Sequence, residues 1–194
     1  MRILFMTFII VSISSCAHEG LKTKINQDNV KPGSKLKARG KELILYRGSL
    51  NVGDNFIQKT KATGVGFSFH NKVTIINIVP SIDTKVCEEQ THILGESKNI
   101  FSTVDRVTIS RDLPMAQARF AKESKLNNIR FFSDYKFGAF GKRSGLLIHG
   151  KELLARAVIV LDKKGVIRYL QVVSELTELP DMNLAIQKAN ELAL

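Results

Sequence analysis

Cys87 closes the segment Pro80-Ser81-Ile82-Asp83-Thr84-Lys85-Val86-Cys87, whose residue types suit thiol chemistry. The segment lies where an apolar, β-branched run ends and a helical stretch begins, a usual place for a site in an open α/β sheet. With Thr84 as N-cap, Cys87 takes the third helical position. Its sulfur is then beside N–H groups without intrahelical partners, at the positive end of the helix dipole. Both effects favour the thiolate, the nucleophilic form. Fast attack by that thiolate also needs the target atom in line with sulfur and charge stabilised on the departing atom. Thr84 can supply a hydroxyl that orients the sulfur and its target, and Pro80 can shield the thiolate from water. A guanidinium to stabilise the developing charge must come from elsewhere in the chain. The bland alternative is that Cys87 is an inert buried thiol, the usual fate of a lone cysteine.

The other cysteine, Cys16, ends a different kind of segment, Met1 to Cys16, MRILFMTFIIVSISSC. One early positive charge precedes an apolar run too short to span a bilayer, the layout of a secretory signal peptide. Ile13-Ser14-Ser15-Cys16 resembles the lipobox of bacterial lipoproteins, which implies cleavage before Cys16 and a diacylglycerol on its sulfur. The alternative is a simple thiol near an ordinary cleavage site. Two or three acyl chains would anchor the protein firmly, since each buried methylene adds about 0.8 kcal/mol. Ala17 follows the cysteine, so the expected place is the bacterial cell envelope, on the outer membrane or periplasmic side rather than the inner. Lipidation would forbid a Cys16–Cys87 disulfide. Residues 16–34 are polar and lack apolar periodicity, and they read as a lipidated tether. The expected organisation is therefore signal peptide 1–15, tether 16–34 and one domain over 35–194.

The elements that must position Cys87 follow from hydrophobic patterning. Lys35–Leu45 reads as a hairpin turning at Arg39-Gly40-Lys41. Val73–Val79 and Val104–Ser110 are near-continuous apolar runs, fitting strands buried on both faces, and Ala157–Leu161 is a third. Asp162-Lys163-Lys164-Gly165 turns the chain into Val166–Val173. Helical stretches are expected at Lys85–Ile100, Pro114–Ser124 with Asp112 as candidate cap, Asp134–Phe140 and Met182–Ala193. Strand, helix, strand, helix, then a hairpin and a helix is the order of a thioredoxin-like α/β domain.

Pro80, Thr84 and Cys87 form the Pro-x-x-x-Thr-x-x-Cys motif of peroxiredoxins, and Val79 to Cys87 is similar to the longer form found in thiol peroxidases. Ser110 to Phe120, Leu126-Asn127-Asn128 and Leu154-Ala155-Arg156-Ala157-Val158 resemble further stretches of that subfamily. The resemblance implies a thioredoxin-like peroxiredoxin fold with an N-terminal β-hairpin and a central mixed sheet flanked by helices. It implies a thiol peroxidase with Arg156 as the active-site arginine, a hydroperoxide substrate, a thiol reductant, a homodimer and no cofactor. One position departs from the pattern: where typical members carry a resolving cysteine after Phe120, this chain has Ala121. The sulfenic acid on Cys87 then needs an external thiol, either a thioredoxin-like protein or a small molecule. A redox-sensing or binding module whose Cys87 is oxidised without turnover is the alternative function.

Composition narrows the rest. Hydrophobic content of 44% and charged content of 24% exclude wholesale disorder. The net charge of +11 admits an anionic partner, but no Trp and three Tyr leave no aromatic platform for stacked bases, so nucleic acid is not expected. His18, His70, His92 and His149 lack metal-ligand spacing. Glu88 and Glu89 read as first-turn residues complementing the helix dipole. Gly141-Lys142-Arg143-Ser144 fails as a phosphate loop because Arg143 stands where Ser or Thr is required.

Overall fold

The computed structural model describes residues 23–61, 63 and 65–194; the expected signal peptide and Cys16 lie outside them. Its centre is the run that the sequence marks as apolar. Strand β3 (Thr74–Ile78) is buried at every position, and each of its isoleucines contributes about 1.5–3 kcal/mol by leaving water. Beside it lie β4 (Asp105–Ser110) and β5 (Arg130–Ser133) on one side, β6 (Ala157–Leu161) and β7 (Ile167–Val172) on the other. The order is β5-β4-β3-β6-β7; β3, β4 and β5 are parallel, and β6 and β7 run antiparallel to their neighbours.

Alternation along the strands divides the core between two faces. Ile76, Ile78, Val107 and Ile109 join Phe56, Phe140 and Leu147 on one. Ile75, Val158 and Val160 meet Leu94, Leu126 and Ala185 on the other. Leu94 belongs to α2 (Lys85–Glu96) and Ala185 to α5 (Met182–Ala193). The first face is covered in part by α1 (Phe56–Thr60) and α4 (Ala139–Ser144), while α3 (Pro114–Glu123) packs beside β5. The expected hairpin is present as β1 (Lys35–Ala38) and β2 (Lys41–Ile44). Its two-residue turn places Arg39 at φ 50° and Gly40 at φ 77°, the left-handed pair that matches strand twist.

Several expected boundaries move. The helix expected over Lys85–Ile100 stops at Glu96, and Ser97 leaves it in extended conformation. Asp112 does not cap α3; Leu113 holds that position without a side-chain bond, and the Asp112 carboxylate turns to the loop before Cys87. The helix expected over Asp134–Phe140 starts only at Ala139. Asp134 is buried and accepts the Phe140 and Gly141 N–H groups at 3.0 and 2.9 Å, satisfying the first turn from outside it. That burial outweighs both bonds and pushes the carboxyl's pKa up.

The largest correction concerns residues 16–34. Their described part is no free tether. Asn26 is 3% exposed; its N–H donates to the Leu179 carbonyl at 2.7 Å, and the Lys24 carbonyl accepts from Leu179 N–H at 2.8 Å. The Asn26 amide binds Ser174 and Glu178, and Gln171 Nε2 donates to the Asn26 carbonyl. Farther along, Val30 N–H donates to the Val172 carbonyl at 2.9 Å. The segment is a strap along β7 and the turn after it. The two-sided amides of Asn26 and Asn29 hold it, with Val30 packed against the core, and so few apolar contacts leave no hydrophobic periodicity to reveal it.

Candidate active site

Cys87 reaches its place because β3 runs straight into it. Val79 and Pro80 are buried where the strand ends, a tight loop follows, and Thr84 opens α2 in extended conformation at φ −135° and ψ 141°. The Thr84 carbonyl accepts the Glu88 N–H at 2.9 Å, so Thr84 is the N-cap residue as expected. Its side chain makes no capping bond. The hydroxyl lies 2.9 Å from the Cys87 sulfur and 3.2 Å from the Ser81 carbonyl. It has one proton to give, and a charged sulfur is the stronger acceptor.

Arg156 arrives from across the sheet. Ala157 pairs with Ile78 in the β3–β6 register, so the residue before Ala157 falls beside the loop where β3 ends. Its guanidinium is held on three sides. Nε donates to the Leu176 carbonyl at 2.9 Å, Nη1 to Gln90 Oε1 at 2.8 Å and Nη2 to the Cys87 sulfur at 3.3 Å. Burial lowers the guanidinium's pKa, and the neighbouring Cys87 opposes that shift.

Cys87, Thr84 and Arg156 are thus brought together, with Pro80 buried at the strand end that leads to them. Two residues that sequence reasoning misses also belong here. Gln90 is fully buried and carries the Arg156 fork, its own Nε2 tied to the Ala157 carbonyl at 3.1 Å. Its spacing of one turn from Cys87 was the available signal. Asp112 braces the loop, accepting from Ser81 Oγ at 2.7 Å and from Ile82 N–H at 2.8 Å.

The sulfur itself is 0% exposed and packs against Val79 and Ile82, with Phe120 and Phe131 beyond. One side of it is therefore apolar and the other carries a hydroxyl and a guanidinium. A cleft of about 580 Å³, bordered by Ile82, Thr84, Lys85, His92, Phe120 and Glu123, lies over the loop without reaching the sulfur. A small amphipathic molecule fits such a space, and Ile82 and Thr84 are among the residues that line it.

A buried thiol at a helix start, flanked by hydroxyl and guanidinium on a thioredoxin-like sheet, defines a class of thiol oxidoreductase. Comparison with known proteins narrows it. The Redoxin family profile matches residues 57–186. Thiol peroxidase of Bacillus subtilis is 41% identical over 121 residues, covering 62% of this chain and 72% of that one. Thiol peroxidase of Clostridium acetobutylicum is 33% identical over 159 residues, covering 80% and 97%. The crystal structure of a peroxiredoxin-like protein from Aquifex aeolicus, 31% identical, superposes with a TM-score of 0.70 over 82% of this chain and 97% of its own. The chain belongs to the Redoxin family, as a peroxiredoxin of the thiol peroxidase type. It is a peroxidase enzyme.

Proposed function

We propose that Cys87 is the peroxidatic thiolate and that this chain reduces hydrogen peroxide and organic or lipid hydroperoxides by a one-cysteine cycle. The observation that carries the reading is the convergence of Thr84 Oγ1 at 2.9 Å and Arg156 Nη2 at 3.3 Å on one sulfur. The thiolate attacks the distal peroxide oxygen, the O–O bond breaks, and its electron pair leaves with the departing oxygen, which is protonated to alcohol or water. Arg156 and the Thr84 hydroxyl face the charge that passes from sulfur to that oxygen. Pro80 and Ile82 keep water from the sulfur. Cys87 is left as sulfenic acid. An external thiol displaces water to give a mixed disulfide, and a second thiol releases the Cys87 thiol and leaves as disulfide.

The external thiol follows from Ala121 standing at the resolving position and from Cys87 being the only free cysteine among the described residues. Lipidation of Cys16 would hold the enzyme at an envelope membrane, on the periplasmic or outer-membrane side. A second copy of the chain is the remaining partner, and exposed Leu113, Met115 and Phe137 near the ends of β4 and β5 supply apolar surface for it. The lack of a second domain cysteine also favours the alternative, a sensor whose Cys87 is oxidised without turnover.

The test uses Cys16→Ser protein treated with cumene hydroperoxide and probed for sulfenic acid. Continued peroxide consumption with a thioredoxin-like or small-thiol reductant, abolished in Cys87→Ser, is the expected result. One equivalent consumed and no more identifies the sensor. No modification of Cys87 at near-stoichiometric peroxide overturns both.

A further inference from the structure

The strap brings the start of the domain to the active-site helix. The Thr23 hydroxyl donates to the Glu89 carboxylate, and Glu89 lies two residues beyond Cys87 on α2. From Thr23 the chain is pinned through Lys24, Asn26 and Val30 to Leu179 and Val172. Lys24 adds an ion pair to Glu178 at 2.7 Å. Only six residues, 17–22, separate Thr23 from Cys16. Seven residue steps extend to about 25 Å at most, whereas a free chain from Cys16 to Lys35 would reach about 65 Å.

We infer that the strap is an orienting device: it seats the α2 side of the domain toward the lipid surface that holds Cys16. This deepens the anchored-peroxidase reading and rests on it. The anchor then sets which end of the sheet is near the membrane as well as a maximum distance. Cys87 lies at the end of β3 next to Ile78, while the β6–β7 turn lies at the other end, beside Thr74. That separates the two ends by about 13 Å of strand. The lipid-facing end is the one with the peroxide chemistry, which suits hydroperoxides formed on acyl chains at the bilayer surface. Lys24, at the start of the strap, carries the charge sign that anionic headgroups attract.

The experiment uses full-length lipidated protein purified from bacterial membranes, in a Cys87→Ser background, returned to phosphatidylethanolamine/phosphatidylglycerol vesicles holding an acceptor-labelled lipid. A donor fluorophore is placed through Lys85→Cys on α2 or through Lys163→Cys on the β6–β7 turn; both positions are exposed. The expected result is about twofold more energy transfer from position 85 than from 163, given the length of the strand layer. Inserting twelve Gly/Ser residues between Lys22 and Thr23 leaves every strap contact in place and lengthens the reach. It should bring the two transfer efficiencies together. Asn26→Ala, which loosens the strap itself, should do the same. Equal transfer from 85 and 163 without the insertion, or a difference that the insertion leaves unchanged, overturns the orientation while the anchor stands. Protein that fails to float with the vesicles removes the anchor, and the orientation with it.

Discussion

Asp112 receives the Ile82 N–H at 2.8 Å and the Ser81 hydroxyl at 2.7 Å, so a carboxylate on the β4–α3 loop fixes the loop that leads to Cys87. Bonds to a charged acceptor are worth about 1.5–3 kcal/mol each, and here both act on the same few residues. Asp112→Ala should lower the melting temperature by about 5–10 °C. It should also slow peroxide oxidation of Cys87 about tenfold to a hundredfold, because small misplacements of a reacting atom are costly. Thermal denaturation and sulfenic-acid trapping against time read the two effects. An unchanged trapping rate would reduce Asp112 to a structural brace.

The Thr84 hydroxyl is the nearest polar group to the sulfur. Thr84→Val keeps the shape and removes the donor, and it should cost about a hundredfold in the oxidation rate. Thr84→Ser restores the hydroxyl and should recover most of it. If valine and serine behave alike, the hydroxyl has no part in the chemistry.

Arg156 and Gln90 should behave as a pair, because Gln90 Oε1 holds the guanidinium whose other arm touches sulfur. Arg156→Lys keeps a charge and loses the three-sided fork; a loss of about a hundredfold or more in peroxide oxidation is expected. Gln90→Leu leaves a guanidinium arm unpaired and should cost less. Adding Gln90→Leu to Arg156→Lys should then cost almost nothing further, since the arm that Gln90 serves is already gone. Fully additive losses would show that the two act separately.

Tyr169 gives a pH signature of the strap side of the molecule. Burial, with a smaller contribution from Asp181, raises its phenol pKa from 10.0 to about 12. Between those values the folded chain keeps a proton that the unfolded chain has released, so its contribution to stability is complete below about pH 10 and fades as the pH climbs to about 12. Urea melts across that window should show stability falling, with a shallower fall in Tyr169→Phe. Parallel slopes for the two proteins would contradict the assignment.

The strand–loop–helix around Cys87 was legible because each of its signals is local: a near-continuous apolar run, a cap-type residue and a cysteine three positions on. The β6 run was legible for the same reason. Arg130–Ser133 escaped because it is half-buried at all four positions, so it shows neither alternation nor a continuous core run. Gln90 and Asp112 escaped because their roles depend on partners 66 and about 30 residues away; the one-turn spacing of Gln90 from Cys87 places it near the sulfur but does not name Arg156 as its partner. Arg156 needed the family resemblance, since nothing within its own segment points to a sulfur. The strap defeated the reading altogether: polar composition reads as a loose chain, yet paired amides hold the segment to the sheet.

The Ala157–Ile78 pairing makes strand alignment a component of catalysis. Shifting β6 by one residue along β3 would still bury an aliphatic side chain at nearly every position, yet it would swing the guanidinium to the other face of the sheet. A misaligned chain of that kind would look native to a circular dichroism spectrometer and be inert toward peroxide. Selection for activity is therefore also selection against a slipped sheet.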